Sequence, residues 1–143
     1  MLRKSVLLIL LYFTMLQMLN GQYAKLLRLT EQEVREQVKE FPIVERDSSE
    51  HEMIPFLFFK NSQKESKLFC YFFYDRKCHL VRHITSPSTF KAAVKFANKN
   101  YIHVEDNKWI SRDSMFTVRI DKFADKVVTS YSRGVDSNRQ ENR

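Results

Sequence analysis

Glycine is nearly missing from this chain of 143 residues, where Gly21 and Gly134 are the only two. A phosphate-cradling loop, a dinucleotide-binding fingerprint and a G-x-S-x-G elbow all need glycine's backbone freedom or its lack of a side chain. Nucleotide-dependent enzymes and α/β-hydrolases are therefore poor candidates, and turns are expected to use Asn, Asp and Pro. Proline is also scarce, and Pro42, Pro55 and Pro87 each fall at an expected element boundary. The two cysteines, Cys70 and Cys78, form no C-x-x-C pair. With His79 and His83 they give C-x7-C-H-x3-H, which fits no standard zinc spacing. No cofactor and no metal site is expected.

Only one apolar run is long, Val6 to Leu19, preceded by Arg3 and Lys4 and followed by Asn20-Gly21-Gln22. A positive start, a short apolar stretch and a small residue at the cleavage point read as a secretory signal peptide over residues 1–21. The run is shorter than the ~20 residues a membrane span needs, and the remainder contains no other of that length. The mature chain is expected to be secreted and extracellular, with no membrane span after cleavage and a net charge of +5. Charge is unevenly spread: residues 22–52 carry −3, residues 53–131 carry +7 and residues 132–143 carry +1. An acidic arm thus precedes a basic body, which can hold that arm, face a polyanion or simply be solvated.

The hydrophobic content of 43% with 13% aromatic residues requires a folded core. Thr30-Glu31-Gln32-Glu33 is a capping box, and Val34, Val38 and Phe41 continue it as an apolar stripe until Pro42 stops the helix. Residues 45–52 read as a polar loop. Met53–Lys60, Lys67–Tyr74 and Cys78–Ile84 read as a three-strand meander. Ser86-Pro87-Ser88-Thr89 opens a second helix, capped by a hydroxyl, with Phe90, Ala93, Val94, Phe96 and Ala97 on one arc and Lys91, Lys95 and Lys99 on the other. Tyr101–Val104, a short piece at Trp109–Ser111, Ser114–Ile120 and Lys126–Tyr131 are strands again. In the third of these, Phe116, Val118 and Ile120 share a face. The fold class read from this order is α+β: a curved antiparallel sheet of about six strands packed by two helices, in one domain over residues 22–131. Residues 132–143 are expected to be a disordered tail. Helix plus meander recurs twice, with no residue-level repeat behind it.

Pairing the hairpin about Tyr74 sets Cys70 opposite Cys78, within disulfide reach. A disulfide is the default for an even cysteine count in a secreted chain, and closing so short a loop contributes at most about 2.6 kcal/mol. His79 and His83 are expected on the outward face, titrating near neutrality. Asp113, Asp121 and Asp125 are expected in loops, as turn residues. No specific motif points to catalysis, so the chain reads as a small secreted binding or interaction protein, with a secreted enzyme or a carrier of a small hydrophobic ligand as the alternatives. Two surfaces are candidates for contact. One is basic: Lys91, Lys95 and Lys99, with Arg76 and Lys77. The other is the aromatic sheet, where Phe56, Phe58, Phe59, Phe69, Tyr71, Phe72, Phe73 and Tyr74 put bulky residues on both strand faces. Expected partners are an extracellular protein, a polyanion or a small hydrophobic ligand, with dimerisation open. Nucleic acid is not expected, because no recognition motif is present.

Overall fold

Thr30 begins the first helix through both arms of the capping box. Its backbone N–H donates to Glu33 Oε2 at 2.8 Å, and Glu33 N–H donates to Thr30 Oγ1 at 3.4 Å. A computed structural model of the chain describes residues 23–38, 43–45, 54–61 and 65–134. The expected signal peptide, Phe41 with Pro42, and most of the expected tail lie outside the described residues. Within them, a short 3-10 turn (Ala24–Leu26) precedes α1 (Glu31–Gln37), followed by β1 (Ile43–Glu45), β2 (Phe56–Asn61), β3 (Ser66–Phe72) and β4 (Cys78–Thr85). A second 3-10 turn (Pro87–Thr89) leads into α2 (Phe90–Asn100), then β5 (Ile102–Glu105), β6 (Lys108–Ile110), β7 (Phe116–Lys122) and β8 (Val127–Arg133).

The α+β class holds, but the sheet has eight strands instead of about six, in the order β1-β2-β3-β4-β8-β7-β6-β5. The extra strands are short. β1 has three residues, too few for an alternation to be read from sequence. All pairings are antiparallel, and the sheet is open, with β1 and β5 as its two edges. The recurrence of helix plus meander has a structural counterpart. Each helix is followed by four strands, and the two sets join through their last members, β4 against β8. β8 carries Ser132 opposite Leu80 on β4 and Arg133 opposite Phe116 on β7, so the sheet runs past the expected boundary at residue 131.

Helices cover one face of the sheet. Tyr23, Leu26, Val34, Val38 and Ala97 meet the inward side chains Leu57, Phe59, Leu68, Val81, Trp109, Val118, Ile120 and Val127 in one continuous core. Strand alternation explains the choice of inward residues, and on β7 it matches the expected face, since Val118 and Ile120 are buried and Arg119 is exposed. Trp109 ties sheet to helix as well: its Nε1–H donates to Asn98 Oδ1 at 2.8 Å.

Three local expectations are corrected. The second helix has no hydroxyl cap on its N–H groups; Thr89 Oγ1 donates instead to the Ser86 carbonyl at 2.9 Å. Left-handed backbone positions fall on Arg28, Glu65, Arg76 and Ser114, not on Asn or Asp. In a body without glycine these residues absorb a strain of about 1 kcal/mol each. The hairpin register also differs. Cys70 faces Val81 and Phe72 faces Cys78, with a bulge that leaves His79 as the extra residue. The cysteines are diagonal neighbours, not direct partners, and both are buried free thiols.

Candidate functional site

Alternation places a second set of side chains on the face that no described helix covers. Phe58 pairs with Phe69, Phe69 with Arg82, Arg82 with Ser130, and Ser130 with Arg119, which makes one row across five strands. One step along the strands, Phe56 pairs with Tyr71; one step the other way, Lys60 pairs with Lys67 and Lys67 with Ile84. The rings pack on one another. Phe58 and Phe69 stack at 4.7 Å between centroids, and Phe56 lies 5.6 Å from Tyr71. Arg82 sits over the Tyr71 ring at 5.5 Å, a cation–π contact on the open face.

Beside this shelf is a half-open groove of ≈ 490 Å³, floored by Phe69, Tyr71, Ile84 and Val128 and rimmed by Arg82, Asp121, Phe123, Asp125 and Lys126. Its charges are not equivalent. Asp121 already accepts from Arg119 Nε at 3.1 Å and from Asn107, and it lies within β7, not in a loop as expected. Arg82 is exposed and has no carboxylate partner among the described residues.

The interior offers a contrasting cluster. His83 points inward from β4 because the bulge at His79 shifts the alternation, so its expected exposed position is corrected. Its ring lies 4.7 Å from that of Tyr23, and burial lowers its pKa to about 4. With Tyr101, Thr129 and Tyr131 it lines a gap beneath α2, and burial raises the pKa of both tyrosines. Convergent polar groups with displaced ionisation are a usual mark of an active site. Here the gap measures ≈ 10 Å³, which admits at most a single water and no substrate.

The basic residues expected at a site are divided. Lys91, Lys95 and Lys99 are all exposed on α2, which packs on the covered face and so stands across the sheet from the groove. Arg76 and Lys77 occupy the turn before β4, while α2 follows that strand. Arg76 borders a separate surface groove of ≈ 630 Å³ with Pro55, Phe72 and Phe73. The turn itself is tightly held. Asp75 Oδ1 accepts from Lys77 N–H at 3.0 Å and meets His79 Nε2 at 2.8 Å, and the histidine bond keeps the Asp75 carboxyl below its usual range. Asp113 is also a turn residue, accepting from Ser111 Oγ at 2.6 Å and Met115 N–H at 3.0 Å.

Cys70 and Cys78 lie against each other inside the covered face. A hydrogen bond with the Cys78 thiol and burial push the Cys70 thiol well up. Among the described residues no group of three or more His, Cys, Asp or Glu side chains is placed to hold a metal ion. No described helix is long and apolar enough to cross a membrane. No protein-family model, curated protein or solved structure matches the chain. Sequence reasoning located the aromatic strands but missed Arg82 as their companion. Strand pairing was the missing signal, since Arg82 joins Phe69 only once the β3–β4 register is known.

Proposed function

We propose that this chain is a small secreted binding protein, without chemistry of its own, that holds a small hydrophobic or amphipathic ligand on the open face of its sheet. The observation that carries this reading is the shelf of half-buried Phe58, Phe69 and Tyr71, backed by buried Phe56, beside a concave groove on the layer that no described helix covers. Contiguous apolar area left at a surface marks a contact site more often than chance, and ≈ 490 Å³ lies within the usual range for a drug-sized ligand. Lys91, Lys95 and Lys99 are then the solvated side of α2.

Fluorescence titration with N-phenyl-1-naphthylamine, a neutral aromatic probe, tests the reading. One saturable site is expected, weakened by about tenfold or more in Tyr71→Ala as one wall of the groove is lost. Unsaturable uptake, or binding indifferent to Tyr71, sinks it. A second copy covering the face would appear as a dimer in sedimentation that Tyr71→Ala dissolves, and would replace the ligand.

Secretion bears on the thiol pair. In an oxidising compartment we expect Cys70 and Cys78 to close into a disulfide by exchange with a small disulfide such as oxidised glutathione. Two protein thiols form one S–S bond, and the glutathione disulfide takes up the two electrons and two protons as two thiols. The proximity of the two thiols supports this, although a diagonal pair must shift slightly to bond. Intact-mass measurement on protein collected from the medium of expressing cells is expected to give a chain starting at Gln22 and lacking two hydrogens. Two free thiols, or a retained leader, count against the respective part.

A further inference from the structure

The open-face groove has a charged member that the binding reading alone does not require. Resting on that reading, we infer that the ligand carries one anionic head group, a carboxylate, sulfate or sulfonate, that docks on the Arg82 guanidinium while its apolar body lies along Phe69 and Tyr71. Arg82 projects from the middle of the sheet, between Phe69 on β3 and Ser130 on β8, and no described carboxylate neutralises it. Of the two carboxylates lining the groove, Asp121 is engaged by Arg119 and Asn107. Lys60 and Lys67, both exposed, stand one pairing step away on the same face and add to the positive field. A guanidinium presents a planar fork of N–H donors that matches two oxygens of such a head group, and its position over Tyr71 holds that fork at the edge of the aromatic floor.

The groove is concave and Asp125 stands on its rim, which favours a free small molecule over the surface of an anionic bilayer. A bilayer would have to bring many negative charges to that carboxylate; a single head group need not. The site is therefore assigned to a soluble anionic amphiphile of drug-like size.

Paired probes with the same aromatic body separate this inference from the reading beneath it. 1-Anilinonaphthalene-8-sulfonate carries a sulfonate, and N-phenyl-1-naphthylamine does not. In the wild-type protein the sulfonate is expected to bind about tenfold more tightly, as one charge-assisted contact implies. In Arg82→Gln the ratio of the two affinities is expected to fall to about one, whatever change the two probes share, and circular dichroism should be unchanged because Arg82 is exposed. Equal affinities in the wild type, or a preference that survives Arg82→Gln, overturn the anionic head group and leave the binding reading standing. Binding of neither probe overturns the binding reading itself. Arg82-dependent sedimentation with phosphatidylglycerol vesicles, stronger than binding of the sulfonate probe, would overturn the free ligand in favour of a membrane surface.

Discussion

Replacing Trp109 by alanine is expected to destabilise the fold by about 3–5 kcal/mol, measured as a fall in the urea midpoint with little change in slope. Trp109 is only 2% exposed, sits on a three-residue strand between β5 and β7, and is the largest fully buried side chain described. Its removal leaves a cavity under α2 that short β5 and β6 cannot collapse around without losing their pairing. The ring also touches His103 at 5.3 Å, which joins the edge strand to the core. Trp109→Phe separates the two roles of the side chain. Most of the packing stays and the bond to Asn98 is lost, but Asn98 is exposed and water replaces its partner. A cost well below that of alanine is therefore expected. Should phenylalanine prove as damaging as alanine, the hydrogen bond and not the packing holds helix to sheet. Since small domains are stable by about 5–15 kcal/mol, the alanine variant stands near the limit of folding at physiological temperature.

Acid should weaken the protein before its carboxylates titrate, and His83 is the reason. In the unfolded chain its pKa is near 6.5, while burial lowers the folded value to about 4. The unfolded state therefore binds the proton more readily. Stability from this group is complete above pH 6.5, falls through the interval from 6.5 to 4, and levels off below it. The full loss is about 3 kcal/mol, from about 1.4 kcal/mol per pH unit. The groups facing the ring are Tyr23, Tyr101, Thr129 and Tyr131, none of which titrates in that interval. Asp75, Asp113 and Glu33 have pKa values lowered by hydrogen bonds from His79, Ser111 and Thr30, so acid loss from them sets in near their unfolded values of 3.8 for the aspartates and 4.5 for Glu33, and meets that interval only at its acid end. Urea midpoints taken between pH 7.5 and 4 should decline in wild type and stay level in His83→Phe, which keeps a ring against Tyr23. A decline of equal size in that variant would assign the acid sensitivity elsewhere.

Local chemistry carried the reading of the chain a long way. Capping-box residues at Thr30 and Glu33, alternation at Phe116, Val118 and Ile120, and the arc of Phe90, Ala93, Val94 and Ala97 depend only on near neighbours, and each recurs in the structure. The short strand β1 did not stand out, because three residues have no period of their own; it forms only because a neighbouring strand supplies partners. Direct opposition of Cys70 and Cys78 failed for a related reason. A bulge is decided by how two strands fit under the rest of the core, and one extra residue at His79 turns the histidines to different environments.

Sequence alone thus determined the class of the fold, the placement of its longer elements, and the absence of the glycine-dependent phosphate and nucleophile motifs. These follow from propensity, periodicity and residue type, which act over a few positions. Tertiary structure decided which aromatic residues remain at the surface, which cation stands among them, and which polar cluster has no room for a substrate. Strand order and register are long-range properties: they bring Phe69, Arg82 and Ser130 into one row, although the chain separates the first from the last by β4, α2 and three further strands.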